Sequence, residues 1–135
     1  MSKQLIVTSA LPYANGPLHF GHLLEHVQTD IWVRTNRLLK NECIYICASD
    51  AHGTPIMMKA ESEKIDPEEL VKKFTKEHER TLKEFHVNHD NYYTTHSDEN
   101  KKYSELIFLR SKENNLIKIE TIEQFYDESK GMFLS

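Results

Sequence analysis

Two histidines, His19 and His22, flank Gly21 shortly after an Asn-Gly pair and two prolines, in the stretch ALPYANGPLHFGH from Ala10 to His22. Residues three apart on a helix are neighbours, so two imidazoles at this spacing can present ring N–H groups to the same anion. A helix start adds unpaired backbone N–H groups and partial positive charge, which suits phosphate. Gly21 removes a side chain between them, so a flat ring can approach the backbone. The segment is neither a Gly-Lys-Ser/Thr phosphate loop nor a G-x-G-x-x-G fingerprint. Three competing readings stand beside the phosphate seat. Asn15-Gly16 can form a hairpin turn that leaves the histidines incidental. The histidines can be ordinary solvated helix residues. His22, Glu25 and His26 also match H-x-x-E-H, the inverted zinc-protease pattern, with two ligands at i and i+4 and Glu25 as base. Asp50, at the end of the second apolar run, can anchor a primary ammonium through charge-assisted bonds, or close an Asx turn ahead of Gly53.

These residues need elements to hold them. Leu5–Thr8 is a short apolar run that predicts a buried strand. Leu18–Lys40 follows with apolar residues Leu23, Leu24, Val27, Ile31 and Leu38 on one predicted helical face, and Pro17 suits the first helical position. Ile44–Ala48 predicts a second strand. Thr54-Pro55 reads as a cap and first residue of a helix, and Asp66, Pro67 and Glu69 read as the start of another. That second helix carries a buried stripe of Leu70, Val71, Phe74, His78, Leu82 and Phe85. Asn91–Thr95 predicts a strand. Ser97 then caps a helix that bears Tyr103, Leu106, Ile107 and Arg110 and ends at Asn114-Asn115. The stretch from Leu116 to Ser135 predicts a hairpin or strand pair. Strands separated by long helices imply an α/β fold built of βαβ units on a parallel sheet. Ligands on such sheets gather at the carboxyl ends of the strands, where the Ala10–His22 segment falls.

The 135 residues are 39 % hydrophobic and 28 % charged, ordinary globular usage, and the net charge of −4 gives no global pull towards nucleic acid. Cys43 and Cys47 match no common zinc pairing and are expected as buried reduced thiols. His78, His86, His89 and His96 show no tight metal spacing as a set. No metal site is expected in the chain. No apolar run reaches the ~20 residues of a membrane span, so a cytoplasmic protein without membrane partners is expected.

The stretch Thr8 to His22, TSALPYANGPLHFGH, resembles the signature of class I aminoacyl-tRNA synthetases, and more narrowly that of the methionyl-tRNA synthetases. ICASDAHGTPIMMKA (46–60), DNYYTTHSDEN (90–100) and YDESKGMFL (126–134) are similar to the same family. Phe20 departs from the usual pattern by standing where an aliphatic residue is normal. The resemblance implies the N-terminal half of a Rossmann-like, parallel-sheet catalytic domain over residues 1–135, ending at the start of a connective insertion. It implies a methionine–tRNA ligase that forms methionyl-adenylate from methionine and ATP with Mg2+, then passes methionine to tRNA(Met). His19 and His22 would be catalytic. Asn15, Gly16, His19, Gly21, His22 and Glu25 would bind ATP. Ala10, Leu11, Tyr13 and Asp50 would bind methionine. The signature segment comprises Pro12, Tyr13, Ala14, Asn15, Gly16, Pro17, Leu18, His19, Phe20, Gly21 and His22.

The family's second signature, Lys-Met-Ser-Lys-Ser, its zinc-binding insertion and its helical anticodon-binding domain, which makes most tRNA contacts, are absent from these residues. A fragment of a longer enzyme is expected, inactive alone because two half-sites share one ATP. The alternatives are a truncated, non-catalytic relic that binds nucleotide or an intact subunit and, more remotely, a zinc protease.

Overall fold

The computed structural model of the protein describes residues 3–129 and 131–133. The elements are β1 (Gln4–Thr8), α1 (Phe20–Leu38), β2 (Glu42–Ser49), α2 (Thr54–Glu63), α3 (Pro67–Glu84), β3 (Asn91–Thr94), α4 (Asp98–Glu113), β4 (Tyr126–Asp127) and β5 (Met132–Phe133). β1, β2 and β3 form a parallel sheet in that order, with Leu5 opposite Cys43 and Cys47 opposite Tyr92. The α/β class and parallel sheet agree with the sequence reading. The chain divides into two compact units, residues 1–100 and 101–135, with α4 crossing the division.

In the first unit, β2 alternates strictly. Cys43, Tyr45, Cys47 and Ser49 are buried, while Ile44 and Ile46 stay exposed on the other face with Ile6 and Tyr93. Leu23 and Val33 of α1 pack on the buried face with Cys43, Tyr45, Leu82 and Val87. A second cluster joins Ala14 of the turn and Ala51 to Ile56, Ala60, Leu70, Val71 and Phe74 of α2 and α3. The turn is therefore part of the core.

Several boundaries differ from expectation. α1 begins at Phe20 rather than Leu18, and Pro17 lies ahead of it in irregular chain. Its buried residues are Leu23, His26, Asp30 and Val33, while Leu24, Ile31 and Leu38 are exposed. The expected face missed because two of the buried positions are polar. Their hydrogen bonds make burial tolerable. Asp30 pairs with Arg34 and accepts the Asn88 N–H at 3.0 Å, and His26 meets Ser9. α2 is capped by Gly53, not Thr54, with Pro55 in its first turn. Asp66 caps α3 as expected, its carboxylate accepting the Glu68 N–H at 2.8 Å. Phe85 leaves the buried stripe because the helix has ended at Glu84. Asn115 takes the left-handed conformation expected of it, at φ 56°.

In the second unit, α4 buries none of its residues. Between Leu116 and Ser135 the pairing is short: Tyr126 opposite Phe133 and Asp127 opposite Met132. Lys130, Leu134 and Ser135 of that expected pair lie outside the described residues. Among the described residues no helix is long and apolar enough to cross a membrane.

Candidate active site at the start of helix α1

Pro12 to Leu18 is irregular chain that distant elements hold in place. At the end of β2, Asp50 donates its N–H to Pro12 O and accepts the Ala14 N–H through its carbonyl, both at 2.8 Å. Tyr13 and Asp50 thereby form an isolated parallel bridge that prolongs the β1–β2 pairing beyond the strands. Pro12 and Ala14 are buried. From α3, the fully buried His78 donates through Nε2 to Gly16 O at 2.7 Å. From α1, Glu25 Oε1 accepts the Ala10 N–H at 2.6 Å. Three elements thus fix a loop with little regular structure of its own.

The two signature histidines are tied into the helix start. His19 is the N-cap, and its Nδ1 accepts the Gly21 N–H at 3.1 Å. His22, at the third helical position, accepts the His19 N–H through its own Nδ1 at 3.3 Å. This is a reciprocal capping box made of two imidazoles, in place of the usual Ser/Thr and Glu/Gln. The rings stack with centroids 3.7 Å apart and planes 20° apart. A ring nitrogen that accepts carries no proton, so the capping box places each ring's proton on Nε2. Neither Nε2 is engaged by another described group. Burial lowers the pKa of His22, and the neighbouring His19 and then His78 lower it further. The capping box thus leaves two stacked rings, each with its Nε2 unengaged, at a helix N-terminus. The Gly21 N–H is already used by the cap, so the donors offered at that point are ring nitrogens rather than this amide.

Glycine at position 21 has a local reason. A Cβ there would lie 3.0 Å from Cε1 and Nδ1 of His19, tight enough to displace the ring. Gly53 has φ +126°, and a Cβ there would stand 2.6 Å from the Tyr13 hydroxyl. Tyr13 therefore rests on Gly53 at the start of α2. Burial raises its pKa against the lowering effect of the Ile56 N–H beside it, and nearby Asp50 raises it further.

Asp50 commits its backbone to the turn, and its carboxylate accepts no hydrogen bond among the described residues, so no Asx turn forms there. Leu11 is partly exposed, Asn15 and Gly16 are half-buried, and Ala10 is exposed but has its N–H occupied by Glu25. Glu25, expected beside ATP, has one carboxylate oxygen bonded to the Ala10 N–H at the strand exit. A nearby cleft of about 420 Å³ is lined by His52, Gly53, Ile56, Met57, Val71 and His96 among others, and none of Ala10, Leu11, Tyr13 or Asp50 lines it. The H-x-x-E-H grouping does not hold together: His22 turns to His19, Glu25 to Ala10, and His26 to Ser9. His78 is the residue whose part at the site sequence reasoning missed. Its place on the buried stripe was legible, but its bond to a carbonyl 62 residues away was not.

A family model described as tRNA synthetases class I (M) matches residues 5–135. The chain belongs to this family of class I tRNA synthetases. Among solved structures, it is similar to Mycobacterium tuberculosis methionyl-tRNA synthetase in complex with methionyl-adenylate. The TM-score is 0.79 at 21 % identity, covering 83 % of this chain and 22 % of that one. A second structure of the Mycobacterium tuberculosis enzyme, bound by methionyl-adenylate, matches with TM-score 0.78 at 21 % identity, covering 82 % and 22 %. The Agrobacterium radiobacter K84 agnB2 LeuRS, in a ternary LeuRS-tRNA-LeuAMS complex, matches with TM-score 0.86 at 18 % identity, covering 98 % of this chain and 18 % of that one. The chain spans about a fifth of the length of these synthetases. At such identities the likeness speaks to fold, and it matches the Rossmann-like half-domain expected for a class I synthetase.

Proposed function

We propose that this synthetase chain carries one side of an adenylate-forming site, and that the amino acid activated is methionine. The observation that carries the reading is the pair of Nε2 donors, with tautomers set by the capping box, at the end of a turn whose Pro12 and Ala14 are bonded to the backbone of Asp50, which leaves the Asp50 carboxylate unengaged. In the proposed reaction the methionine carboxylate attacks the α-phosphorus of ATP and pyrophosphate leaves. The carboxylate is already ionised at neutral pH, so no general base is needed. What the step needs is alignment and neutralisation of charge on the phosphoryl oxygens. His19 and His22 supply two preorganised donors for that charge. Asp50 takes the ammonium group and Tyr13 walls the side-chain pocket. In the second half-reaction a terminal hydroxyl of tRNA(Met) attacks the acyl carbon of the adenylate and releases AMP. Mg2+ would arrive as part of the nucleotide substrate, and no residue here is assigned to it.

The preference for methionine over other amino acids rests on the sequence likeness at 8–22, 46–60, 90–100 and 126–134, and on the family matched by residues 5–135. Half of a site is proposed because the chain covers so little of its relatives and one apolar face of its sheet, with Ile6, Ile44 and Ile46, stays exposed. Parallel sheets are ordinarily covered on both faces. The deciding experiment is amino-acid-dependent ATP–pyrophosphate exchange with the intact protein, run with each amino acid. Exchange should depend on methionine. Preference for leucine would overturn the specificity, and robust exchange by residues 1–135 alone would overturn the half-site reading.

A further inference from the structure

On the helix-covered face of the sheet, one helical turn from His22, lie three side chains that adenylate formation does not use. His26 of α1, Cys47 of β2 and His89 of the α3–β3 loop each offer a donor atom, and the three atoms lie within 4.8 Å of one another. His26 is 1 % exposed and Cys47 6 %, and the thiol is free. Nε2 of His26 and Nε2 of His89 are both buried without a hydrogen-bond partner among the described residues. A buried, unpaired polar nitrogen is costly, so native structures rarely leave one, and two in a single cluster call for a common explanation.

The surroundings narrow the ligand. Ser9 Oγ lies 3.1 Å from His26 Nδ1, 3.6 Å from Cys47 Sγ and 3.0 Å from Tyr45 Oη. The rings of Tyr45 and Tyr92 stand 4.3 and 5.4 Å from that of His89. The donor set is two imidazoles and a sulfur, with no carboxylate. Hard cations such as Mg2+ and Ca2+ favour oxygen, whereas this set suits a borderline-soft ion. We propose that His26, Cys47 and His89 form a binding site for a zinc-class divalent cation, with a water in the fourth position and Ser9 orienting the His26 ring through Nδ1. Ligand atoms around tetrahedral zinc stand roughly 3.3–3.7 Å apart, given Zn–N of ~2.0 Å and Zn–S of ~2.3 Å. The cluster must therefore contract by about 1 Å at its widest, and His89, the least buried of the three and on a loop, is the residue placed to move. A surface cleft of about 310 Å³, lined by Val87, Asn88, His89, Asp90 and Tyr92 among others, reaches His89 from solvent. Binding displaces the thiol proton of Cys47 to solvent and changes no oxidation state. The ion would tie α1, β2 and the α3–β3 loop together beneath the signature turn. This departs from the sequence expectation that the chain holds no metal, because the three residues are scattered at 26, 47 and 89 and converge only in the fold.

The test is titration of the metal-stripped 135-residue chain, whose only thiols are Cys43 and Cys47, with Co2+ alone, reading thiolate-to-cobalt charge-transfer absorption. One equivalent should develop the band, Zn2+ should abolish it, Cys47→Ser should remove it and Cys43→Ser should keep it. Cys47→Ser can fail to fold, so His89→Gln, at the least buried ligand, provides a second reading. It should weaken Co2+ affinity by about tenfold or more and remove the rise in Tm that Zn2+ gives the wild type. Absence of the band, its survival in Cys47→Ser, or an undiminished Zn2+ stabilisation of His89→Gln would each overturn the site. Those outcomes would assign the cluster to bridging water.

Discussion

His19 does two jobs through two nitrogens, and one substitution separates them. Nδ1 caps α1 by accepting the Gly21 N–H, while Nε2, left unengaged, is the donor proposed for a phosphoryl oxygen. Asparagine is among the best N-cap residues, so His19→Asn keeps an acceptor for Gly21 and should hold stability to within a few tenths of a kcal/mol. It cannot present a donor at the position of Nε2. Loss of one preorganised donor to developing oxyanion charge costs about 10²–10³ in kcat, or about 2.7–4 kcal/mol. His19→Ala loses both functions. It should show the same catalytic loss together with about 1 kcal/mol of destabilisation from the missing cap. The assay pairs methionine-dependent ATP–pyrophosphate exchange with thermal or urea melts of the intact protein, for wild type and both variants. The decisive comparison is between the variants, which should share an activity and differ in stability. Exchange by His19→Asn within about threefold of wild type, with an unchanged melt, would refute the donor assignment. Identical melts for His19→Asn and His19→Ala would refute the cap.

Three further outcomes follow from the same geometry. Asp50→Asn keeps the backbone bonds to Pro12 and Ala14 but removes the charge, so the methionine KM should rise about 10- to 100-fold, the worth of one hydrogen bond to a charged group, with the ATP KM unchanged. Gly53→Ala meets both a φ of +126° and the Tyr13 hydroxyl at 2.6 Å, and should cost about 1–3 kcal/mol in melts while raising the methionine KM; an unchanged melt would remove Tyr13 from its place over Gly53. Burial holds the pKa of His78 below its ordinary 6.5, so the unfolded chain binds its proton first as pH falls. The stabilisation is present above about pH 6.5 and lost below it. Melts between pH 7 and 5 should therefore fall more steeply for wild type than for His78→Gln, which keeps a donor for Gly16, and parallel curves would contradict this.

The long elements were legible because they rest on local pattern. Alternation in β2 and the Asp66-Pro67 start of α3 are written within a few residues of where they act. What failed were judgements that depend on partners far along the chain. Leu23, Leu24, Val27, Ile31 and Leu38 point to one face of α1, yet the buried positions include His26 and Asp30, made tolerable by Ser9 and by the Asn88 N–H 58 residues away. The helix start was read from Pro17, yet Pro12 to Leu18 is held out of the helix by Asp50 and His78, and neither bond has a sequence signature.

The capping box carries the strongest link between local structure and function. Histidine is not a preferred N-cap, and Ser, Thr, Asp or Asn at position 19 would start α1 at least as well. A helix start selected for stability alone has no reason to place imidazoles at both ends of a capping box. The arrangement makes sense if the cap is a way of holding the rings. It consumes both Nδ1 atoms, stacks the rings with centroids 3.7 Å apart and leaves both Nε2 atoms unengaged. Local rules are most often broken where a site needs it. Here the departure has a definite product: the bonds that begin the helix also set the tautomer of the two groups proposed to meet the phosphate.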